Sequence, residues 1–183
     1  METFTTLRGF IDDPGFKERR SRSSSRLDLG TIDEPVRDII GGFAKIPYCF
    51  TLQSCYGHFL YPGQSDPHHV GPLPALSDDV EVEYRIAYIA LCMEDGSSGR
   101  ALFEDMGRTP VIDPDYIQFG CSPWFWERQP NSFALQVEPD RYKCSDTATV
   151  AYREALRIEA TRGLFFAELR RILGRHLEEM GSA

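Results

Sequence analysis

Long apolar runs are missing from this 183-residue sequence. No stretch approaches the roughly 20 consecutive apolar residues that a membrane-spanning helix needs. The start of the chain, Met1-Glu2-Thr3-Phe4, also lacks a charged region followed by an apolar one, so no secretory signal is visible. We therefore expect a cytoplasmic protein with no membrane partner.

Closely spaced cysteine pairs are also missing. No two cysteines have C-x-x-C spacing, and their number, five, is odd. Both observations argue against a disulfide framework and predict reduced thiols in a cytoplasmic protein. The cysteines are Cys49, Cys55, Cys92, Cys121 and Cys144. We expect Cys49 and Cys92 to be core residues.

An excess of positive charge is absent, since 20 Lys and Arg residues stand against 28 Asp and Glu residues, which gives a net charge of -8. This balance argues against a generally basic surface for nucleic acid. Residues 16–26 are an exception, because they hold five basic residues and one acid. The basic residues are Lys17, Arg19, Arg20, Arg22 and Arg26. Such a segment could contact phosphate, although a solvated, flexible segment is the more common interpretation.

Common enzyme signatures are absent as well. The sequence has no G-x-G-x-x-G, Walker A, H-E-x-x-H or G-x-S-x-G element, and no internal repeat is visible. These absences weaken the cases for a dinucleotide-binding enzyme, a P-loop NTPase, a zinc metalloprotease and an α/β-hydrolase.

The composition is that of a folded domain, with 42% hydrophobic and 26% charged residues. Residue patterns predict the order helix, strand, long loop, strand, short helix, strand, strand, long helix. Strands with few helices between them indicate a single α+β domain over residues 1–183. We expect a mixed, mostly antiparallel sheet flanked by helices, including a long C-terminal helix. Residues 1–28 are predicted to be a loosely ordered, basic and serine-rich segment.

The individual segments follow from periodicity and from helix caps and turn residues. They are a short helix at 16–20, a helix that starts near Pro35, strands at 48–54 and 80–92, a helix from Ser97 or Ser98 to Met106, strands at 116–121 and 132–137, and a long helix capped by Asp146. Thr31 with Glu34 has capping-box spacing, and Asp33 is an alternative cap for the second helix. Gly163 is predicted to kink or break the last helix.

The strand at 48–54 ends in Ser54-Cys55-x-Gly57-His58, which delivers a hydroxyl, a thiol and an imidazole to one edge of a sheet. The loop at 61–74 follows and holds four prolines and two glycines. This loop places His68 and His69 within possible reach of the Cys55 edge.

Two elements resemble the wybutosine-synthesis methyltransferase family, whose small members modify a guanosine-derived base in tRNA. The family has Lys-Gly-x-Ile-Asp before a helix, and then a Tyr-Tyr-Thr-Thr strand that runs into Ser-Ser-Cys-Ser-Gly-Arg. This chain has Gly30-x-Ile32-Asp33, and then Tyr48-Cys49-Phe50-Thr51-Leu52-Gln53-Ser54-Cys55-Tyr56-Gly57-His58. It departs from the pattern at Gln53, Tyr56 and His58, where the family has serine, serine and arginine. A later Phe133-x-Leu135-x-Val137-Glu138-Pro139 is loosely similar to the family's Lys-Phe-Glu-Pro.

The resemblance implies an S-adenosylmethionine-dependent methyltransferase that acts on tRNA. It assigns the catalytic site to Ser54, Cys55 and His58, with His58 as a base. The residues assigned to the cofactor are Gly57, Trp124, Trp126 and Glu138. The two tryptophans would offer an aromatic face to the sulfonium, and Glu138 would hold a ribose or an amine. Basic residues between positions 17 and 26 would contact tRNA.

Other interpretations stay open. Trp124 and Trp126 also suit core packing. Cys55 with His58, His68 and His69 has ligand types that suit zinc, but C-x2-H-x9-H-H matches no familiar finger, so no metal ligand is assigned.

The pair Cys55 and His58 could also be a nucleophile and a base, or a buried cysteine beside a surface histidine. The domain could instead be a non-catalytic module that binds a ligand or a protein. An enzyme should show a deep cleft at residues 55–58, whereas a binding module should show that edge filled by Tyr56 and covered by residues 61–76. The apolar stripe of the last helix suits packing on the sheet or a homodimer contact.

Overall fold

Two antiparallel sheets form the frame of the fold, and the computed structural model describes residues 7–142 and 145–181. The first sheet has the strand order β1-β4-β6-β5 and the second the order β2-β3-β7. The strands are β1 Cys49–Cys55, β2 His58–Leu60, β3 Glu81–Arg85, β4 Ala87–Met93, β5 Ile117–Gly120, β6 Ser132–Val137 and β7 Thr147–Ala151. All the strand pairings in the described ranges are antiparallel. The α+β class predicted from the sequence is confirmed.

Helices cover the sheets and supply much of the core. They are α1 Phe16–Arg26, α2 Arg37–Phe43, α3 Ser97–Gly107, α4 Pro123–Arg128 and α5 Tyr152–Gly181, with short 3-10 helices at Leu29–Thr31, Glu34–Val36, Thr109–Ile112 and Asp140–Tyr142. None of the helices in the described part of the chain is both long and apolar enough to cross a membrane.

The core lies between α5 and one face of the four-stranded sheet. Alternate residues of β6, namely Phe133, Leu135 and Val137, face this core because side chains of a strand alternate between its two faces. On α5 the predicted apolar stripe is buried, with Phe165 and Leu169 fully inaccessible. The stripe therefore packs within its own chain, and a homodimer contact through this helix stays a prediction. Gly163 was predicted to kink or break the helix, but it does not break it, since it lies within the 30 continuous residues of α5.

Two of the connections that carry the chain from one sheet to the other are only one or two residues long. The first passage is Tyr56-Gly57, between β1 and β2, and the second is Ile86, between β3 and β4. Residues 80–92 were predicted to be one strand, but the structure divides them between the two sheets. The Tyr84 hydroxyl holds this junction, since it accepts a hydrogen bond from Ala87 N at 2.8 Å and donates one to Val137 O at 2.9 Å.

Helix α1 corrects the prediction that Ser21–Arg26 is loose. The helix runs through Arg26, because long-range contacts compensate for the poor helix-forming tendency of its serine-rich half. Arg20 donates hydrogen bonds to the carbonyls of Ala44, Ile46 and Cys49 at 3.0 to 3.1 Å. Together these contacts hold α1 alongside β1.

Three further elements differ from the sequence prediction. The Trp-Phe-Trp segment forms α4, whose Phe125 is buried. Residue Asp146 was predicted to cap the last helix, but β7 follows it and the helix begins at Tyr152. Strand β2 was not predicted, because its three residues are too few to show a period.

Candidate functional site at the end of strand β1

Three polar side chains meet where β1 ends. Asp33 lies just before the 3-10 helix at Glu34–Val36, and its Oδ2 accepts a hydrogen bond from Tyr56 N at 2.8 Å. The same Oδ2 lies 3.2 Å from His58 Nε2. The Cys55 Sγ accepts a hydrogen bond from Gly57 N at 3.4 Å. Asp33 was predicted as a possible helix cap, but it makes no capping hydrogen bond and instead holds the turn after β1.

The His58 ring is fully engaged. Its Nδ1 is 3.1 Å from the carbonyl oxygen of His69, and only 3% of the residue is exposed. The hydrogen bond to Asp33, followed by the one to Cys55, raises the pKa of His58 to about 10. The hydrogen bond from His58 in turn lowers the pKa of Asp33. At neutral pH the pair is an imidazolium and a carboxylate, so His58 in this state has no lone pair with which to act as a base.

A buried arginine from α5 completes the turn. Arg162 Nη1 donates a hydrogen bond to Gly57 O at 2.7 Å, and its guanidinium lies 4.1 Å from the centroid of the Tyr56 ring. Its Nη2 is 3.7 Å from Glu159 Oε1, which also accepts a hydrogen bond from Leu73 N at 2.9 Å. Arg162 therefore ties the turn, through Glu159, to the loop that covers it.

The proline-rich loop lies over the Cys55–His58 edge, as its histidines led us to expect. The His68 ring is 6.1 Å from the His58 ring, centroid to centroid. His69 contributes its backbone carbonyl rather than its imidazole. The Tyr56 ring stacks on Phe166 at 5.4 Å. Cys55 and His58 are consequently buried, and the opening lies on the Ser54 side of them.

That opening is a cleft of about 560 Å³ between α1 and β1. Its walls include four arginines, namely Arg19, Arg22, Arg26 and Arg128. Half-buried Thr51 and Ser54 of β1 also line it, together with exposed Gln53. A volume of this size is in the range of small-molecule and cofactor sites.

The charge of the cleft is only partly neutralised. Arg19 pairs with Asp13, and Arg22 pairs with Glu18 at 2.5 Å. Arg26 has no ion pair within the described residues. Arg128 lies 4.1 Å over the Trp124 ring and donates a hydrogen bond to a backbone carbonyl. Guanidinium groups in this arrangement suit phosphate or carboxylate.

The structure brings some of the predicted site residues together and separates others. Ser54 and Cys55 end β1, Gly57 lies in the turn that follows, and His58 begins β2 of the other sheet. The two tryptophans belong to α4 and do not line the cleft. Trp126 packs edge-on against Phe133 of the core, with ring centroids 5.7 Å apart. The alternative of core packing thus describes Trp126, whereas Trp124 supports the rim arginine Arg128.

Glu138 is fully buried away from the cleft lining. Its Oε2 accepts a hydrogen bond from Gln136 Nε2 at 2.9 Å, and its Oε1 has no partner. Burial, followed by repulsion from Asp146, raises the pKa of Glu138 to about 9. The carboxyl is therefore held protonated at neutral pH, inside a cluster that includes Gln118.

Replacing Glu138 with glutamine should stabilise the protein. The pKa of Glu138 is raised from 4.5 to about 9 in the folded state. The free-energy cost of keeping this carboxyl buried when the unfolded chain would ionise it is therefore absent below pH 4.5 and complete above pH 9. We expect Glu138→Gln to increase the free energy of unfolding by about 1–3 kcal/mol at pH 8, and by less at pH 5. Urea denaturation across this pH range measures the difference. Glu127→Gln, an exposed change on α4, is the control that should show no pH-dependent gain.

Comparisons with known proteins identify a fold and no family. No protein-family model matches the chain, and no curated protein matches it. A solved structure, "Structure of PH1069 protein from Pyrococcus horikoshii", is similar with a TM-score of 0.50 and 12% sequence identity. The match covers 88% of this chain and 96% of that chain. At this identity, the likeness shows a shared fold alone.

Two residues of the site were not assigned from the sequence. Asp33 was visible in Gly30-x-Ile32-Asp33, but its position before a helix indicated a cap. Arg162 lies 105 residues from Gly57, but it falls between Ile158 and Phe165 at helical spacing, so it occupies a position on the buried apolar stripe of α5. The signal for Asp33 was its place in a motif, and the signal for Arg162 was a charged residue on an otherwise apolar helix face.

Proposed function

We propose that the protein is a divergent S-adenosylmethionine-dependent methyltransferase that modifies a guanosine-derived base in tRNA. The observation that carries this proposal is the meeting of the two family-like sequence elements. Asp33 of the first element binds Tyr56 N and pairs with His58 of the second. The cluster they form adjoins a cleft that four arginines line.

The departure at His58 preserves the charge of the family pattern. An arginine at position 58 would place a permanent cation beside Asp33. The raised pKa of His58, about 10, keeps a cation there at neutral pH as well. The Asp33–His58 ion pair would thus hold the turn after β1 in the same way as an aspartate–arginine pair.

The arginine-lined cleft supports an RNA substrate despite the acidic net charge. Phosphate contacts need local lysine or arginine, because neutralised phosphates release their counterions. Arg22, Arg26 and Arg128 line this cleft and are exposed. They could reach phosphates that approach the end of β1.

The cleft has groups that fit the polar ends of S-adenosylmethionine. Arginine guanidinium groups suit its carboxylate, and Asp28 and Thr31, which also line the cleft, suit its amine or ribose hydroxyls. When bound, this cofactor supplies an electrophilic methyl group. The contribution of the chain is to hold the reacting groups in line. We assign that role to Ser54 and Gln53 at the cleft wall, with the Asp33–His58 pair supporting the strand end behind them.

Calorimetric titration with S-adenosylhomocysteine, together with methyl incorporation into tRNA, tests this function. We expect binding of the cofactor product and transfer of labelled methyl to tRNA. Absence of both would contradict the proposal.

Charge removal at the cleft rim should weaken RNA binding. We expect Arg22→Ala/Arg26→Ala to lower affinity for a short single-stranded RNA about tenfold at low salt and to reduce the slope of log affinity against log salt by roughly 1.4. Fluorescence anisotropy over a salt series measures both effects. Lys17→Ala is the matched control, since Lys17 is an exposed cation on the same helix but does not line the cleft. An equal loss in the control would contradict a role for the cleft.

A second candidate is a non-catalytic binding module on the same fold. The observation that favours it is the Cys55–His58 edge, which is closed in the way expected of a binding module, since Tyr56 stacks on Phe166 there and 7% of Cys55 and 3% of His58 are exposed beneath the loop at 61–76. RNA binding that depends on the rim arginines, without cofactor binding or methyl transfer, would support this module over the enzyme.

The cysteines support the proposed cytoplasmic location. In the described ranges, which leave out Cys144, Cys49, Cys55 and Cys92 are buried thiols outside any disulfide, as expected in a reducing compartment. Non-reducing and reducing mass spectrometry of protein from cells would test this point.

A further inference from the structure

Asp33, Cys55 and His58 offer one carboxylate oxygen, one sulfur and one imidazole nitrogen that lie within 4.8 Å of one another. They are the one group of three or more such ligands in the described ranges. We propose that these three side chains bind a zinc ion and leave a fourth coordination position open. The inference does not depend on methyl transfer or RNA binding.

One pair of ligand atoms already has nearly the spacing found in zinc sites. Zinc prefers imidazole nitrogen, thiolate sulfur and carboxylate oxygen at about 2.0–2.3 Å, in a tetrahedral arrangement. Ligand atoms at those bond lengths are separated by roughly 3.3–3.8 Å. The 3.2 Å between His58 Nε2 and Asp33 Oδ2 requires only a small expansion. All three ligands lie on short, well-packed segments rather than on a long loop.

Surrounding hydrogen bonds hold each of the three ligands in place. Histidines that bind metals usually donate the other ring N–H to a carbonyl or carboxylate, and His58 Nδ1 is 3.1 Å from His69 O. The amide of Tyr56 donates to Asp33 at 2.8 Å, and that of Gly57 donates to Cys55 Sγ at 3.4 Å. Two of the three ligands thus receive a backbone N–H, which fixes the position of the ligand atom.

The bound state has no uncompensated charge. Zinc with a carboxylate, a thiolate and a neutral imidazole has no net charge, because the two anionic ligands offset the two charges of the metal. The ligand atoms release their protons to solvent when the bonds to zinc form. The buried turn can therefore hold the metal without an uncompensated charge.

Access is available from the side of Asp33, whose side chain is 20% exposed. This differs from the zinc set considered from sequence, in which His68 and His69 were ligands. His69 presents its carbonyl to His58, and His68 is exposed on the covering loop. We assign water to the fourth position.

Elemental analysis and cobalt substitution test the site in the full-length protein. We expect one zinc per chain after dialysis against a weak chelator. Cobalt in place of zinc should produce the near-ultraviolet charge-transfer absorption of a cobalt–thiolate bond. The wild-type cobalt spectrum shows whether cysteine is a ligand, even if a variant fails to fold. Asp33→Asn and Cys55→Ser should each weaken zinc binding by at least tenfold, with folding verified by circular dichroism.

Cys92→Ser is the matched control, because Cys92 is another buried free thiol but packs with Phe16 and Phe50 rather than beside Asp33 and His58. It should bind zinc and give the cobalt–thiolate band as the wild type does. The proposal is overturned if the wild type binds no stoichiometric zinc or if cobalt gives no thiolate band. It is also overturned if His68→Ala abolishes binding while folded Asp33→Asn retains it.

Discussion

Replacing Arg162 with alanine should strongly lower the free energy of unfolding of the protein. Arg162 is 3% exposed, and its guanidinium donates to Gly57 O and lies over the rings of Tyr56 and Phe59 at 4.1 and 5.0 Å. Its removal leaves the buried Gly57 carbonyl without this donor and opens a cavity between α5 and the turn. We expect the free energy of unfolding to fall by about 3–5 kcal/mol.

Urea denaturation measures this loss, and two further variants define its cause. Arg171→Ala removes an exposed arginine of the same helix that pairs with Glu168, and it should cost at most about 1 kcal/mol. Arg162→Lys retains a cation but not the planar fork, so it should fall between Arg162→Ala and the wild type. Equal losses for Arg162→Ala and Arg171→Ala would show that the contacts of Arg162 with the turn add nothing to stability.

Replacing Gly57 with alanine is the second change with a large expected effect. Gly57 has a φ of 90°, and an added Cβ would lie 2.8 Å from Ala87 Cβ and 3.1 Å from Ala87 N. The neighbouring atoms belong to backbone and to a methyl on the backbone at the junction of the two sheets, so they have little freedom to move. We expect a loss of roughly 3 kcal/mol or more in the free energy of unfolding.

Gly63 separates the two causes of that loss. It has the same φ of 90°, but an added Cβ would meet nothing within 4 Å. Gly63→Ala should therefore cost only the backbone strain, about 1–2 kcal/mol. The difference between the two variants, measured from urea denaturation midpoints, gives the contribution of close packing at the junction. Similar losses in both would contradict tight packing of Gly57 against β4.

The turn at Gly57 affects both the stability of the fold and the proposed zinc site. Gly57 and Arg162 position the backbone between Cys55 and His58, and the cleft wall at Ser54 directly precedes it. If Gly57→Ala folds, a shift of this turn should reduce zinc binding as well. Arg162→Lys keeps a cation beside the turn, so it should lower the free energy of unfolding but leave the zinc content per chain near that of the wild type.

Local patterns in the sequence determined the elements that depend on local physics. The α+β class, the position of β6 and the short helix that ends near Met106 followed from periodicity and helix signals. The abrupt end of β1 in reactive side chains was also visible. These features are determined by residues that are neighbours in the chain, so a single sequence contains the information they require.

Tertiary structure alone decided the features that join distant segments. The split of residues 80–92 between two sheets depends on the pairing of β3 with β7 and of β4 with β1 and β6, because the alternation of its side chains continues through Ile86. The helical state of the serine-rich segment depends on carbonyls near β1 that Arg20 binds. Neither the strand pairing nor the hydrogen bonds of Arg20 can be predicted from the spacing of residues within one segment.

Part of the candidate site could also be predicted from the local sequence, and part depended on the tertiary structure. The sequence by itself brought Ser54, Cys55, Gly57 and His58 close together, since they are near neighbours at a strand end, but it did not show that His58 begins a strand of the second sheet. It did not determine that Asp33 would pair with His58, that Arg162 would hold the turn, or that the arginines of α1 would line a cleft beside β1. Those contacts join residues 25 or more positions apart. They form because burial of a charge requires a partner, and only the folded chain determines which partner is within reach.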